Sequence, residues 1–136
     1  MALDIGGRRI GVALAHPVAR LAQPLTTLEA TNGIMDEINK LVELHEVGHI
    51  VVGLPRNLQG QETDQTRTII VFADQLKQAI PDIAISFQDE ALTSRKAEQE
   101  LAARGRKYEK ADIDALAATY ILEDYLRDNA AEAGNE

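Results

Sequence analysis

A chain of 136 residues, 45% of them hydrophobic, carries material for one core and leaves no room for a second ordinary domain. The absence of cysteine excludes disulfides, thiolate zinc sites and cysteine nucleophiles, and no apolar run approaches the roughly 18–20 residues that a membrane span needs. A formal net charge of −8 excludes a uniformly basic surface, so a nucleic acid would have to meet a local basic face: Arg8 and Arg9, Arg95 and Lys96, or Arg104, Arg106, Lys107 and Lys110.

In chain order, the short apolar segment Ala2 to Ile5 reads as a strand, and Gly6-Gly7 as a tight turn at positive φ. The run Arg9 to Ala15 then closes a hairpin. Leu21 to Leu28, with Pro24 inside it, suits an edge strand or an irregular loop. From an N-cap at Asn32, Ile34, Ile38, Leu41 and Val42 recur at helical spacing, and Gly48 is expected to end that helix. Ile50 to Leu54, closed by Pro55, is a continuous apolar run of the kind buried on both faces of a parallel sheet. A helix over about Thr63 to Ala79, a strand over Ile83 to Phe87, and helices over about Thr93 to Ala103 and Ile113 to Arg127 follow. This order predicts an α/β domain over residues 1–128: a mixed five-stranded sheet, antiparallel hairpin strands first and parallel strands after, flanked by helices. Residues 129–136 read as a flexible acidic tail. The start, Met1 to Asp4, has neither the basic nor the long apolar segment of an export signal, so a cytoplasmic location is expected.

Three acidic positions stand out. Asp4 interrupts an apolar strand, where an ionised carboxylate is costly unless a cation or hydrogen bonds satisfy it; a turn-capping role is the structural alternative. Asp89-Glu90 lies at the C-terminal end of a strand, the usual place for ligand-binding residues in open α/β sheets, though both acids could instead feed charge to the next helix N-terminus. Asp114 shares a helix face with Ala117, Ala118 and Ile121, whose small side chains would let that helix approach the sheet, while Asp112 points elsewhere and reads as the N-cap. Carboxylates alone make a hard-cation site, suited to Mg²⁺ or Mn²⁺, and two such ions about 3.5–4 Å apart can hydrolyse a phosphodiester.

Two other motifs compete. His45-Glu46-Val47-Gly48-His49 satisfies H-E-x-x-H, but zinc chemistry needs both histidines on one continuing helix, and here the chain passes into strand sequence after Gly48. Asp4-Ile5-Gly6-Gly7 is similar to the phosphate hairpin of the actin and sugar-kinase group, yet the chain is too short for the two domains that group requires, and it has no P-loop.

Four segments in order carry a family resemblance: Leu3-Asp4-Ile5-Gly6-Gly7-Arg8-Arg9-Ile10-Gly11-Val12-Ala13; Val52-Gly53-Leu54-Pro55 with Gly60; Asp89-Glu90-Ala91-Leu92-Thr93-Ser94; and Asp112 through Ala118 on to Leu126. On them the sequence resembles, nearly end to end, the YqgF or RuvX family, described as pre-16S ribosomal RNA nucleases and Holliday junction resolvases. The resemblance implies an RNase H-like fold and a hydrolase, a nuclease with Asp4, Glu90 and Asp114 as catalytic, metal-binding carboxylates and Asp89 as a supporting ligand. It also implies a substrate groove lined by Gly53-Leu54-Pro55. Arg8, Arg9 and Arg56 are expected phosphate contacts, joined by Arg95, Lys107 and Lys110 from the basic clusters. The expected partners are precursor ribosomal RNA or branched DNA, with the protein a monomer or homodimer; a non-catalytic nucleic-acid-binding module is the alternative class. Ala91 stands where the family usually has Arg, and His16 where it usually has Asp.

Overall fold

The computed structural model describes residues 1–55, 63–90, 93–105 and 109–129, the side chains of residues 93–96 and 98 excepted. Strands β1 (Ala2–Ile5), β2 (Arg9–Ala15) and β3 (Ala22–Glu29) precede helix α1 (Ile34–Leu44), and β4 (His49–Pro55), α2 (Asp64–Ala79), β5 (Ala84–Glu90), α3 (Thr93–Ala103) and α4 (Lys110–Asp128) follow. The five strands form one sheet in the order β3-β2-β1-β4-β5. The first three pair antiparallel, and β4 runs parallel to both β1 and β5, as the sequence order predicts.

Strand alternation sorts side chains onto two faces. Leu3, Ile5, Ile10, Val12, Ile50, Val52 and Leu54 face α1 and α2, joining Ile38, Val42, Ile69 and Leu76 in the larger core. The opposite face is built of smaller residues, Ala2, Ala13 and Val51, against which α4 lays Ala118, Ile121 and Leu122. The outer side of α4 receives Ala97 of α3 through Leu116, Ala117 and Tyr120. Small residues on both sides of the sheet–α4 contact allow close approach, and that approach brings Asp114 of α4 down onto the sheet.

One local alternative is decided and several local expectations are corrected. Leu21 to Leu28 resolves as an edge strand from Ala22, in which the register jumps from Val12↔Thr26 to Ala13↔Pro24. That bulge leaves Leu25 unmatched and accommodates the proline. Neither Gly6 nor Gly7 has positive φ; among the described glycines only Gly105 does, at +68°. Gly6 is instead small because a Cβ there would lie 2.9 Å from the Arg9 carbonyl oxygen. Helix α1 has Gly33, not Asn32, at its N-cap and stops at Leu44. It is Glu46, at φ +53°, that takes the left-handed conformation expected of Gly48. Helix α4 starts at Lys110, three residues before the expected Ile113, so Asp112 is the third helical residue and accepts a 2.9 Å hydrogen bond from the Glu109 N–H. Its carboxylate closes half of a capping box instead of serving as the cap.

The β4–α2 connection is tied by Thr66, which is fully buried. Its hydroxyl donates to the Pro55 carbonyl at 2.8 Å, and its own N–H donates to the Thr63 hydroxyl at 3.2 Å. Replacing Thr66 by Val strands the Pro55 carbonyl, and chemical denaturation should record a loss of about 1–3 kcal/mol.

Candidate metal centre

Asp4 pairs with Gly11 across the β1–β2 ladder, so both face the same side of the sheet, the side covered by α4. Gly11 is where α4 touches down: a Cβ there would stand 1.9 Å from the backbone oxygen of Asp114 and 2.2 Å from its carbonyl carbon. Gly53 on β4 makes a second small seat, its Cβ position lying against the Ile121 side chain, 2.3 Å from Cδ1. The Thr27 hydroxyl of β3 anchors the first turn of α4 by donating to the Ala111 carbonyl at 2.6 Å. Asp114 is thereby delivered to the partner position of Asp4.

The consequence is electrostatic. Burial, and secondarily the charge of Asp114, push the Asp4 carboxyl up to about 6. Arg9, also on the α4 side of β2, donates from Nε to Asp114 Oδ2 at 2.6 Å. The side chains of Arg9 and Asp114 are 36% and 18% exposed, so this ion pair sits at the rim with the acid turned inward.

Glu90 ends β5 and is in register with Pro55, two steps beyond the Gly53–Gln88 pair and four beyond Val51–Ser86. Val51 packs on α4, so alternation places Glu90 on the face that holds Asp4 and Asp114. Asp89 is exposed and in register with Leu54 of the other core, which places it on the opposite face from Glu90. Thus Asp4 and Asp114 come together, Glu90 flanks them on the same face, and Asp89 does not share it. Both acids at 89 and 90 belong to β5 itself, which extends beyond the expected end at Phe87.

Among the described residues no three His, Cys, Asp or Glu side chains close into a metal cage. The two inner carboxylates nevertheless fit a hard divalent cation: they offer only oxygen, and a buried acid that holds its proton against a neighbouring anion is relieved when a cation enters. Of the expected phosphate contacts, Arg8 is exposed in the β1–β2 turn, Arg9 stands at the rim, and Lys110 is exposed at the start of α4. Arg56, Lys107 and the side chain of Arg95 lie outside the described residues, as does Ala91. Gly53, expected in a substrate groove, is instead covered by Ile121 of α4, and the seat at Gly11 has no counterpart among the sequence expectations. Their signal was glycine in the middle of two apolar strands, matched by the Ala117-Ala118 pair.

The histidines gather elsewhere. His45 follows the end of α1 and His49 opens β4, so they occupy different elements, and the helical zinc motif is not formed. Both line a cavity of about 750 Å³ at the other end of β1, together with His16, Arg20 and Tyr125. His49 Nε2 lies 2.8 Å from the Ser86 hydroxyl, and its ring meets Tyr125 edge-on.

The family model described as "RuvX: Holliday junction resolvase" matches residues 1–128. A protein of Sulfurihydrogenibium sp. (strain YO3AOP1) named "Putative pre-16S rRNA nuclease" is 41% identical over 127 residues, covering 93% of this chain and 88% of its own. A protein of the same name from Chloroflexus aurantiacus is 43% identical over 130 residues, covering 93% and 84%. The solved structure of T. thermophilus RuvC in complex with a Holliday junction substrate aligns with a TM-score of 0.55 at 14% identity, covering 93% of each chain. At that identity the likeness concerns the fold, which is RNase H-like.

Proposed function

The chain belongs to the RuvX family, and from that premise we propose that it is a divalent-metal-dependent nuclease that trims precursor 16S ribosomal RNA, with Asp4, Glu90 and Asp114 as its catalytic carboxylates. The observation that carries this reading is the Asp4–Asp114 pair, forced together under α4 by Gly11 on the face that also bears Glu90. Mg²⁺ or Mn²⁺ held there, as two ions, would supply the positive charge that activates water and stabilises the leaving oxygen. The chain's own residues have three tasks. Asp4 must lose its proton before it can act as a ligand, so cleavage should rise with pH through about 6. Asp114 and Glu90 would complete the ligand set, and Arg8, Arg9 and Lys110 would take substrate phosphates. Asp89, in register with Leu54 on the opposite face, is not part of this set.

Resolution of four-way DNA junctions is the second reading, favoured by the description of the family model and by the fold shared with a junction-bound protein. Both substrates present the same phosphodiester to the same acids. Cleavage of a 16S precursor and of a four-way junction, side by side with Mg²⁺, Mn²⁺ or chelator, tests both readings. Metal-dependent cut sites confined to the RNA support the first, confined to the junction support the second, and no cleavage of either would overturn both. Asp114→Asn and Glu90→Gln should each slow the preferred reaction by more than about a hundredfold, the upper end of what losing a mere outer-sphere partner produces.

No helix among the described residues is long and apolar enough to cross a membrane. Action in the cytoplasm, where ribosomal precursors are matured, accords with this proposal.

A further inference from the structure

We propose that Arg9 is a place-holder for the cation: its guanidinium occupies Asp114 in the metal-free protein, yields that oxygen when a divalent ion enters, and turns to a substrate phosphate. This rests on the metal-dependent reading above and adds an order of events to it. Three observations carry it. The contact is short and uses a single donor, Nε to Asp114 Oδ2 at 2.6 Å, so it occupies an oxygen an ion would need. Arg9 lies on the same strand face as Gly11, one alternation step away, and so sits beside the acid pair without being enclosed by it. Its side chain is twice as exposed as that of Asp114, 36% against 18%, which leaves it a path toward solvent, where a polyanion would arrive.

The physical chemistry then runs one way. In the metal-free site a single positive charge offsets part of the repulsion between Asp4 and Asp114. A divalent ion at the same carboxylates offsets more of it and repels the guanidinium at short range. Released from Asp114, the planar fork has its five N–H donors available, a geometry that matches phosphate oxygens. Metal loading would thus create a phosphate contact that the metal-free protein lacks, coupling cation binding to capture of substrate.

Calorimetric titration with Mn²⁺ tests the first half. Arg9→Met, which keeps the side-chain bulk and removes the charge, should bind Mn²⁺ about fivefold to tenfold more tightly than wild type, because competitor and repulsion go together. Arg9→Lys, which keeps a cation without the Nε donor, should show a smaller gain in the same direction and serves if the Met variant is unfolded. Fluorescence anisotropy with a labelled, cleavage-resistant RNA analogue tests the second half with all three carboxylates left in place. With Mn²⁺ present, Arg9→Met should flatten the slope of log affinity against log salt by about 0.7–0.9, one phosphate contact, whereas in chelator the slopes should coincide. A purely structural role for Arg9 would lower thermal stability with and without metal and leave the Mn²⁺ affinity unmoved. Unchanged Mn²⁺ affinity in folded variants, or a slope change of equal size in chelator, would overturn the proposal while leaving the nuclease reading standing. Failure of wild type to bind Mn²⁺ at all would overturn both.

Discussion

Asp4→Asn is expected to abolish metal-dependent cleavage and, at pH 7 without metal, to raise the melting temperature. Most substitutions at a buried ligand destabilise, so the sign is diagnostic. The folded protein holds the Asp4 proton up to about pH 6, against 3.8 for an ordinary aspartate. The folded state therefore binds that proton more tightly than the unfolded chain, and the associated stability is complete below about pH 4 and lost as pH rises through about 6. Above that range the ionised buried acid is a liability of up to about 3 kcal/mol, which Asn, neutral and of the same shape, does not carry. Calorimetry in chelator should show the variant melting about 4–10 °C above wild type at pH 7 and close to it near pH 3.5. With saturating Mn²⁺ the order should reverse, because only wild type gains binding energy from the ion. A lower melting temperature for the metal-free variant at pH 7 would mean that Asp4 is held by hydrogen bonds as a structural acid.

The second large effect comes from a residue with no reactive group. Gly11→Ala places a methyl group 1.9 Å from the Asp114 backbone oxygen, a distance that atoms do not share, and the obstruction is helix backbone with no rotamer to change. Either α4 lifts from the sheet or β2 bends. Overpacking of this kind costs about 3 kcal/mol or more, and a displacement of about 1 Å at Asp114 would lower the cleavage rate by about a hundredfold. Two controls grade the effect. Gly53→Ala meets the end of the Ile121 side chain, which can rotate, and should be milder. Gly7→Ala meets nothing within 4 Å and should leave stability and activity near wild type. Denaturant melts and single-turnover rates on the three variants measure the series, and a Gly11→Ala protein as stable and active as Gly7→Ala would show that α4 does not rest on β2 as described.

What could be read from the sequence divides along physical lines. Asp4 and Asp114 were legible because each is an acid where burial is expected, and burial of charge is the costliest departure from a hydrophobic pattern. Hairpin, buried β4 and helix order were legible because apolar periodicity reports which side of an element meets the core. Helix ends were not. The Asp112 carboxylate serves equally as an N-cap or as the third residue of a capping box, and one turn of register separates the two. Glu46 holds a backbone conformation usually given to glycine, although Gly48 stands two residues on, because the tertiary path from α1 into β4 sets where the chain must turn. The separation of Asp89 from Glu90 onto opposite faces depended on β5 continuing to its last residue, and nothing in so short and polar a segment marks where pairing stops.

The salt link between Arg9 and Asp114 spans 105 residues of sequence, and the seat of α4 on Gly11 spans nearly as many. During synthesis, β1 and β2 leave the ribosome long before α4 does. A growing chain can close its hairpin and bury the larger core with α1 and α2 while Asp4 has no acidic partner above it. Assembly of the Asp4–Asp114 pair therefore waits for α4, the last of the described elements to be made, and until then the hairpin carries a lone acid on an uncovered face.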